Sequence, residues 1–279
     1  VEARVRLRPL LCALLLLVPP ARASAAFERP PGDPRFSALG GAGVALQGSP
    51  WAVLVNPAAL ARLEHRLLAA AYTPSTFGLA ELSRAGAAYA EPFGGFSLGA
   101  STATFGFELY RETEIALAGG IDLTETVSAG AAFRACFLAV EGYGEDVSVA
   151  ADVGVLVRFA ESLTWGVTIV NVNGARITAE REPLPRVFVT GVAYRPVPDL
   201  TLTLDLAKDP EHPLEARGGA GFRILDVLEL RAGTATEPSS FTAGAGVEWD
   251  LLRFDYAFES HPDLGPTHRI GLTVAFGGR

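Results

Sequence analysis

The chain has 279 residues, of which 49% are hydrophobic and 19% charged, with a formal net charge of −8. That length fits one large domain or two small ones. The charge-poor, apolar-rich composition excludes a disordered chain, and the acidic balance excludes the basic footprint of a nucleic-acid binder.

Residues 1–25 read as a secretory signal. Arg4, Arg6 and Arg8 form a basic start, Leu10 to Val18 form a short apolar run, and Ala23-Ser24-Ala25 offers a small-residue cleavage site. Cleavage is expected after Ala25. One of the two cysteines, Cys12, lies in this leader, so Cys136 is expected to have no internal disulfide partner afterwards. No later run reaches the roughly 20 apolar residues of a spanning helix. A membrane-embedded chain would therefore have to be a closed barrel, because lipid cannot satisfy an open sheet edge.

Residues 26–64 lack strand alternation. Pro30, Pro31 and Pro34 exclude an early long helix. Gly40, Gly41 and Gly43 permit close backbone approach. Asn56 is placed to cap a short helix that starts at Pro57 and continues through Ala58. Phe27, Phe36, Leu39, Val44, Trp51, Val53 and Leu60 are too many apolar groups for a solvated linker. The segment is expected to form a plug, containing a little helix, inside or across the periplasmic mouth of a barrel.

From residue 65 to 279 short runs recur between turn signals. Fourteen strands are predicted, over 66–73, 82–91, 95–105, 109–121, 126–140, 146–159, 163–172, 186–195, 200–207, 214–223, 227–235, 240–249, 252–259 and 267–276. Many alternate with period two: Leu200, Leu202, Leu204 and Leu206 oppose Thr201, Thr203 and Asp205, and Leu252, Phe254, Tyr256 and Phe258 oppose Arg253, Asp255 and Glu259. A soluble sandwich would alternate too. The membrane arrangement is favoured by runs of about 9–11 residues or more and by an even strand count. It is also favoured by aromatics at one end, namely Phe159, Trp165, Phe222, Trp249, Phe254 and Phe276, which match an interfacial girdle. The fold expected is all-β: a transmembrane antiparallel up-and-down barrel of about 14 strands, in contact with outer-membrane lipid.

On the polar faces stand Asp205, Glu215, Arg217, Arg223, Glu229, Arg231, Glu248, Arg253, Asp255, Glu259 and Arg269. Opposite signs on neighbouring strands predict ion pairs in the lumen, with a selective channel lining as the sharper alternative. Ser260, His261, Pro262, Asp263, Gly265, Thr267 and His268 form one outer-loop motif. Ser260 and His261 are sequence neighbours and do not make a catalytic pair on a strand. His261, Asp263 and His268 lack an identifiable supporting partner for a metal. A structured loop is expected, with Pro262 and Gly265 shaping its turns. No enzyme activity, metal or cofactor is predicted.

The segment ALGGAGVALQGSPWAVLVNPAALA, with its Asn56-Pro57-Ala58, resembles the N-terminal segment of the FadL-like and PorV/PorQ-like outer-membrane proteins. YAFESHPDLGPTHRIGLTVAF resembles the PorV/PorQ branch in particular. The resemblance covers nearly all of the chain after the leader. It implies a fourteen-stranded barrel with an N-terminal hatch. It further implies either passage of small hydrophobic molecules across the outer membrane or, as the alternative, a non-enzymatic part in a type IX-like secretion or scaffold system with a secreted protein as partner. It also implies that Arg269, Gly271, Val274 and Phe276 form a terminal-strand signal read by the barrel-assembly machinery. Transport of small hydrophobic solutes is the expectation carried forward.

Overall fold

A computed structural model describes residues 26–27, 32–178 and 182–277; the expected leader, residues 1–25, lies outside the described residues. Fourteen antiparallel strands close into one barrel. They are β1 (Arg66–Thr73), β2 (Arg84–Pro92), β3 (Phe96–Gly106), β4 (Tyr110–Asp122), β5 (Val127–Val140), β6 (Gly144–Ala160), β7 (Leu163–Ile169), β10 (Phe188–Val197), β11 (Leu200–Lys208), β12 (Glu215–Leu225), β13 (Leu228–Thr236), β14 (Ser239–Trp249), β15 (Leu252–His261) and β16 (Gly265–Phe276). Two short strands, β8 (Arg176–Ile177) and β9 (Glu182–Pro183), form a separate hairpin between β7 and β10. Every expected barrel strand is present, with each end within three residues of its expected position. The β8–β9 hairpin was not foreseen.

The barrel closes where Arg66 of β1 pairs with Phe276 of β16. That end is the lower rim. Its turns, 93–95, 123–126, 161–162, 198–199, 226–227 and 250–251, are all short. The upper rim carries the longer connections 74–83, 170–187 and 209–214 along with shorter ones. Phe159, Phe222, Trp249 and Phe254 are exposed on the outer wall toward the lower rim, and Trp165 donates its indole N–H to the Thr190 hydroxyl on the neighbouring strand.

Exposure is inverted relative to a water-soluble protein. On β11, Leu202, Leu204 and Leu206 are exposed, whereas Thr203 and Asp205 are buried. β4 and β6 follow the same rule, with Ile115, Leu117, Val153 and Val155 outside and Ala116, Ala118 and Asp152 inside. Alternation with the apolar side outward suits a wall that faces hydrocarbon.

The N-terminal segment packs inside this wall. It contains a helix at Pro34–Ala38, a second at Ala52–Val55 and a 3-10 turn at Pro57–Arg62, which Asn56 caps by accepting from the Ala58 amide. The wall makes room by being small. Gly219 lies against Leu39, Gly233 against Leu39 and Gly40, Gly130 against Pro57 and Ala58, and Gly154 against the Asn56 side chain. A β-carbon on Gly130 would stand 2.3 Å from the Pro57 carbonyl carbon, and one on Gly219 2.6 Å from the Leu39 α-carbon. Val53, Ala58 and Leu60 fill the lower lumen against Leu67, Ala90, Ala116, Ala118, Ala132 and Leu156. Phe36, Leu39, Val44, Leu46 and Trp51 pack against Ala69, Ala88, Val189, Ala193 and Ala207. Each fully buried large apolar side chain contributes about 1.5–3 kcal/mol relative to exposure, so the segment is held by its packing as well as by hydrogen bonds.

Candidate functional site

Above the N-terminal segment the lumen opens into a cavity of about 930 Å³. Its floor is made by Val44, Trp51, Leu54 and Val55, and Phe77, Leu82 and Phe105 add apolar wall on the side of β1–β3. The connections 170–187 and 209–214 reach its upper edge.

The described parts of connection 170–187, residues 170–178 and 182–187, turn inward for a structural reason. β7 stops at Ile169, opposite Val153, whereas β6 continues upward to Gly144. The upper stretch of β6 therefore has no strand on that side. Asn173 takes the place of one: its side-chain oxygen accepts from the Ala151 amide and its amide donates to the Val149 carbonyl, each at 2.9 Å. Asn171 then ties the connection together. Its backbone N–H donates to Asp152, and its side chain bonds the Ala175 and Leu184 backbones. Ile177 and Leu184 bury themselves against Cys136, Leu138, Ala150 and Phe27 on the inner face of β5 and β6.

Three wall groups anchor the floor. Asp205 accepts the Gly43 and Val44 amides with one carboxylate oxygen, at 2.7 and 2.9 Å. Thr242 accepts from the Gly40 amide and donates to the Ala38 carbonyl. Asn56 donates to the Val44 carbonyl within the segment and to the Val155 carbonyl of the wall. Asp205 sits directly over Gly191, where a β-carbon would fall 2.0 Å from its Oδ1. Hydrogen bonds to a charged acceptor contribute about 1.5–3 kcal/mol, so Asp205→Ala should loosen the floor without opening the barrel wall. Limited proteolysis in detergent is expected to leave residues 36–60 intact in the parent protein and to cut them in the variant. Equal resistance in both would remove Asp205 from this role.

Of the eleven charges expected on the polar faces, nine form ion pairs along the lumen, the exceptions being Asp205 and Arg223. Arg231 bridges Glu229 and Asp255, each at 2.7 Å, and Arg253 contacts Glu229, Asp255 and Glu248. Arg217 pairs with Glu215 and Arg269 with Glu259, both at 2.6 Å. Arg223 is exposed near the lower rim. Gly40 lies against the backbone of Thr234 and Gly218, as a close-approach glycine should, while Gly43 packs on Phe36 of its own segment and Gly41 adopts a φ of 81°.

The SHPDLG-x-TH stretch is a tight hairpin. β15 runs through Ser260 to His261 and β16 starts at Gly265, leaving only Pro262, Asp263 and Leu264 between them. His261 accepts the Asp263 and Leu264 amides and caps the turn. His268 instead contacts the Tyr256 hydroxyl, and Thr267 is buried and accepts from the Phe77 amide. Strand alternation turns His261 and His268 to opposite faces, so the motif residues do not converge. Gly271 lies against the Pro34 ring, and Phe276 pairs across the barrel seam.

A second ionic cluster went unforeseen. On β4–β6, Arg134 binds Asp152 through two nitrogens and Glu114 through a third, all deep in the lumen. Its signal was present in the sequence as Arg134, the single charge of β5, and Asp152, both standing at small-residue positions of the inward faces.

No protein-family model matches the sequence, and no curated protein matches it. Among solved structures, the chain resembles the P. putida toluene transporter TodX with a TM-score of 0.68 at 10% identity, over 88% of this chain and 98% of that one. It resembles the CymD monoaromatic hydrocarbon channel with a TM-score of 0.64 at 12% identity, over 87% and 97% of the two chains. A Pseudomonas aeruginosa FadL homologue matches with a TM-score of 0.61 at 11% identity, over 89% and 98%. At these identities the likeness is one of fold.

Proposed function

We propose that this protein is a bacterial outer-membrane barrel that passes small hydrophobic solutes inward, with residues 32–63 as its plug and the lower rim in the periplasm. The observation that carries this reading is the cavity of about 930 Å³, closed below by Val44, Trp51, Leu54 and Val55, inside a barrel whose outer wall is apolar. That volume lies within the range of about 300–1,000 Å³ typical of small-molecule sites. A filled lower lumen is unsuited to a steady aqueous pore. Passage past the floor requires the plug to shift, or connection 170–187 to move away from the unpaired stretch of β6. The names of the similar structures, two of which are called toluene transporters or hydrocarbon channels, support the same class of solute. Arg269, Gly271, Val274 and Phe276 would serve as the terminal-strand signal for the assembly machinery.

Reconstituted protein is expected to bind an apolar fluorescent probe that toluene displaces. Phe105→Ala, which removes a half-buried aromatic side chain from the cavity wall, should weaken the probe by about tenfold, since such a deletion forfeits roughly 1.5–3 kcal/mol of burial. Absence of any probe binding, together with stable co-purification of a secreted protein, would replace this reading by the secretion alternative.

A further inference from the structure

The N-terminal segment starts high in the lumen. Ala26 and Phe27 lie buried against Cys136, Leu138 and Ala150 of β5 and β6 and against Ile177 and Leu184, and the chain reaches the lower rim only at Arg66. The Phe27 amide N–H donates to the Glu112 carboxylate, which also accepts from the Tyr110 hydroxyl at 2.7 Å. Phe27 has a φ of 61°, a left-handed conformation that persists in a non-glycine residue only where contacts impose it. Glu112 is 5% exposed, yet among the described residues it makes no ion pair. The Arg134 guanidinium, two strand positions of β5 from Cys136, is held by Glu114 and Asp152. Arg84 attracts Glu112 from beyond ion-pair distance, its guanidinium lying over the Phe105 ring at 5.1 Å, and Glu114 adds a like charge nearby. A buried carboxylate is costly without a cation beside it, so this site is one positive charge short.

We infer that the missing cation is the chain's own α-ammonium, created at Ala26 when the leader is cut after Ala25, and that Glu112 with Tyr110 is its binding site. The inference rests on the expected cleavage and does not need the transport reading. Two independent observations meet at one residue. Ala23-Ser24-Ala25 makes Ala26 the first residue of the processed chain, and the fold places the next amide of that chain on a buried carboxylate. Standard bond lengths put the Ala26 nitrogen within about 4 Å of the Phe27 nitrogen. A carboxylate offers about four acceptor positions, and the Phe27 amide and the Tyr110 hydroxyl use two of them. Rotation at Ala26 therefore brings the ammonium onto the remaining ones. Before cleavage the same nitrogen belongs to an uncharged amide. Processing thus supplies the charge that holds the segment's end in the lumen, where Phe27 forms part of the cavity wall.

The test uses protein extracted from membranes in a non-ionic detergent, so that processing is the cell's own. N-terminal sequencing should begin at Ala26. The processed chain then carries only two amines, its α-amine and Lys208, the single lysine, which is exposed and serves as the internal standard. An unprotected α-amine holds its proton less tightly than a lysine and is labelled first by an amine-reactive ester at pH 7. In the folded barrel the order is expected to reverse, with the α-amine labelled at least about tenfold more slowly than Lys208, and unfolding should restore the ordinary order. Glu112→Gln keeps the size of the side chain and removes its charge. In the folded variant, identified by its gel shift, α-amine labelling should speed up by at least about tenfold while Lys208 is unchanged. A chain that starts elsewhere than Ala26, or a folded parent whose α-amine is labelled first, would overturn the inference, and both measurements stand whether or not the variant folds. Equal protection in the parent and in folded Glu112→Gln would show that burial alone shields the amine, and would overturn the ion pair as well.

Discussion

Deletion of residues 32–63 is expected to turn a barrel with no steady current into one with large, stable, porin-like conductance in a planar bilayer. The lower lumen is otherwise solid. Val53, Ala58 and Leu60 fill it against the alanines of β2, β4 and β5 and against Leu67 and Leu156, while Gly219 and Gly233 hold Leu39 and Gly40 hard against β12 and β13. With that segment gone, the inner wall presents small side chains around open water, the condition of an aqueous barrel. The deletion also removes packing that the barrel uses, so a point substitution provides an independent arm. Gly130→Val places a side chain where the backbone of Pro57 and Ala58 now lies, 2.3–2.6 Å from it. Backbone cannot rotate away as a side chain can, so the N-terminal segment must shift and, if it is the plug, conductance should rise from zero in a folded barrel. Large currents from the intact protein, or silence from both variants in correctly folded barrels, would sink the plugged-barrel model.

Arg231→Leu is expected to cause the greatest loss of stability of any single substitution in the lumen, about 3–5 kcal/mol, the cost of breaking a buried ion pair. The Arg231 side chain is 0% exposed and the Asp255 side chain 4%. Removing the guanidinium leaves Glu229, Asp255 and Glu248 to share Arg253 alone. The buried carboxylates would then be undercompensated in a medium that screens poorly. Glu248→Gln, at the solvated end of the same network with its side chain 43% exposed, should cost no more than about 1 kcal/mol. Urea unfolding in detergent, followed by the gel shift between folded and unfolded barrel, measures both. Adding Glu229→Leu and Asp255→Leu to Arg231→Leu should restore much of the loss, because a network replaced whole leaves no orphan charge. Equal stabilities for Arg231→Leu and Glu248→Gln would show that burial does not set the strength of this network.

The barrel strands, their inward and outward faces and their short lower turns were legible in the sequence because they depend on neighbours. A residue's face in a strand follows from the residue two places away, so Leu202 and Leu204 could be set against Thr203 and Asp205 with no knowledge of the rest of the chain. The capped turn at Asn56-Pro57 was legible for the same reason, since a cap acts within three residues. What required the tertiary structure were meetings between distant residues. Asp205 holds the amide of Gly43 across 162 positions, and Thr242 holds Gly40 across 202. Gly130, Gly219 and Gly233 are small because of a segment that precedes them by some 70 to 190 residues in the chain. The inward course of 170–178 and 182–187 follows from β7 ending nine residues short of the upper end of β6, a mismatch that the predicted strand 163–172 understated. Alternation decides which way a side chain points; barrel closure and register decide what it meets there.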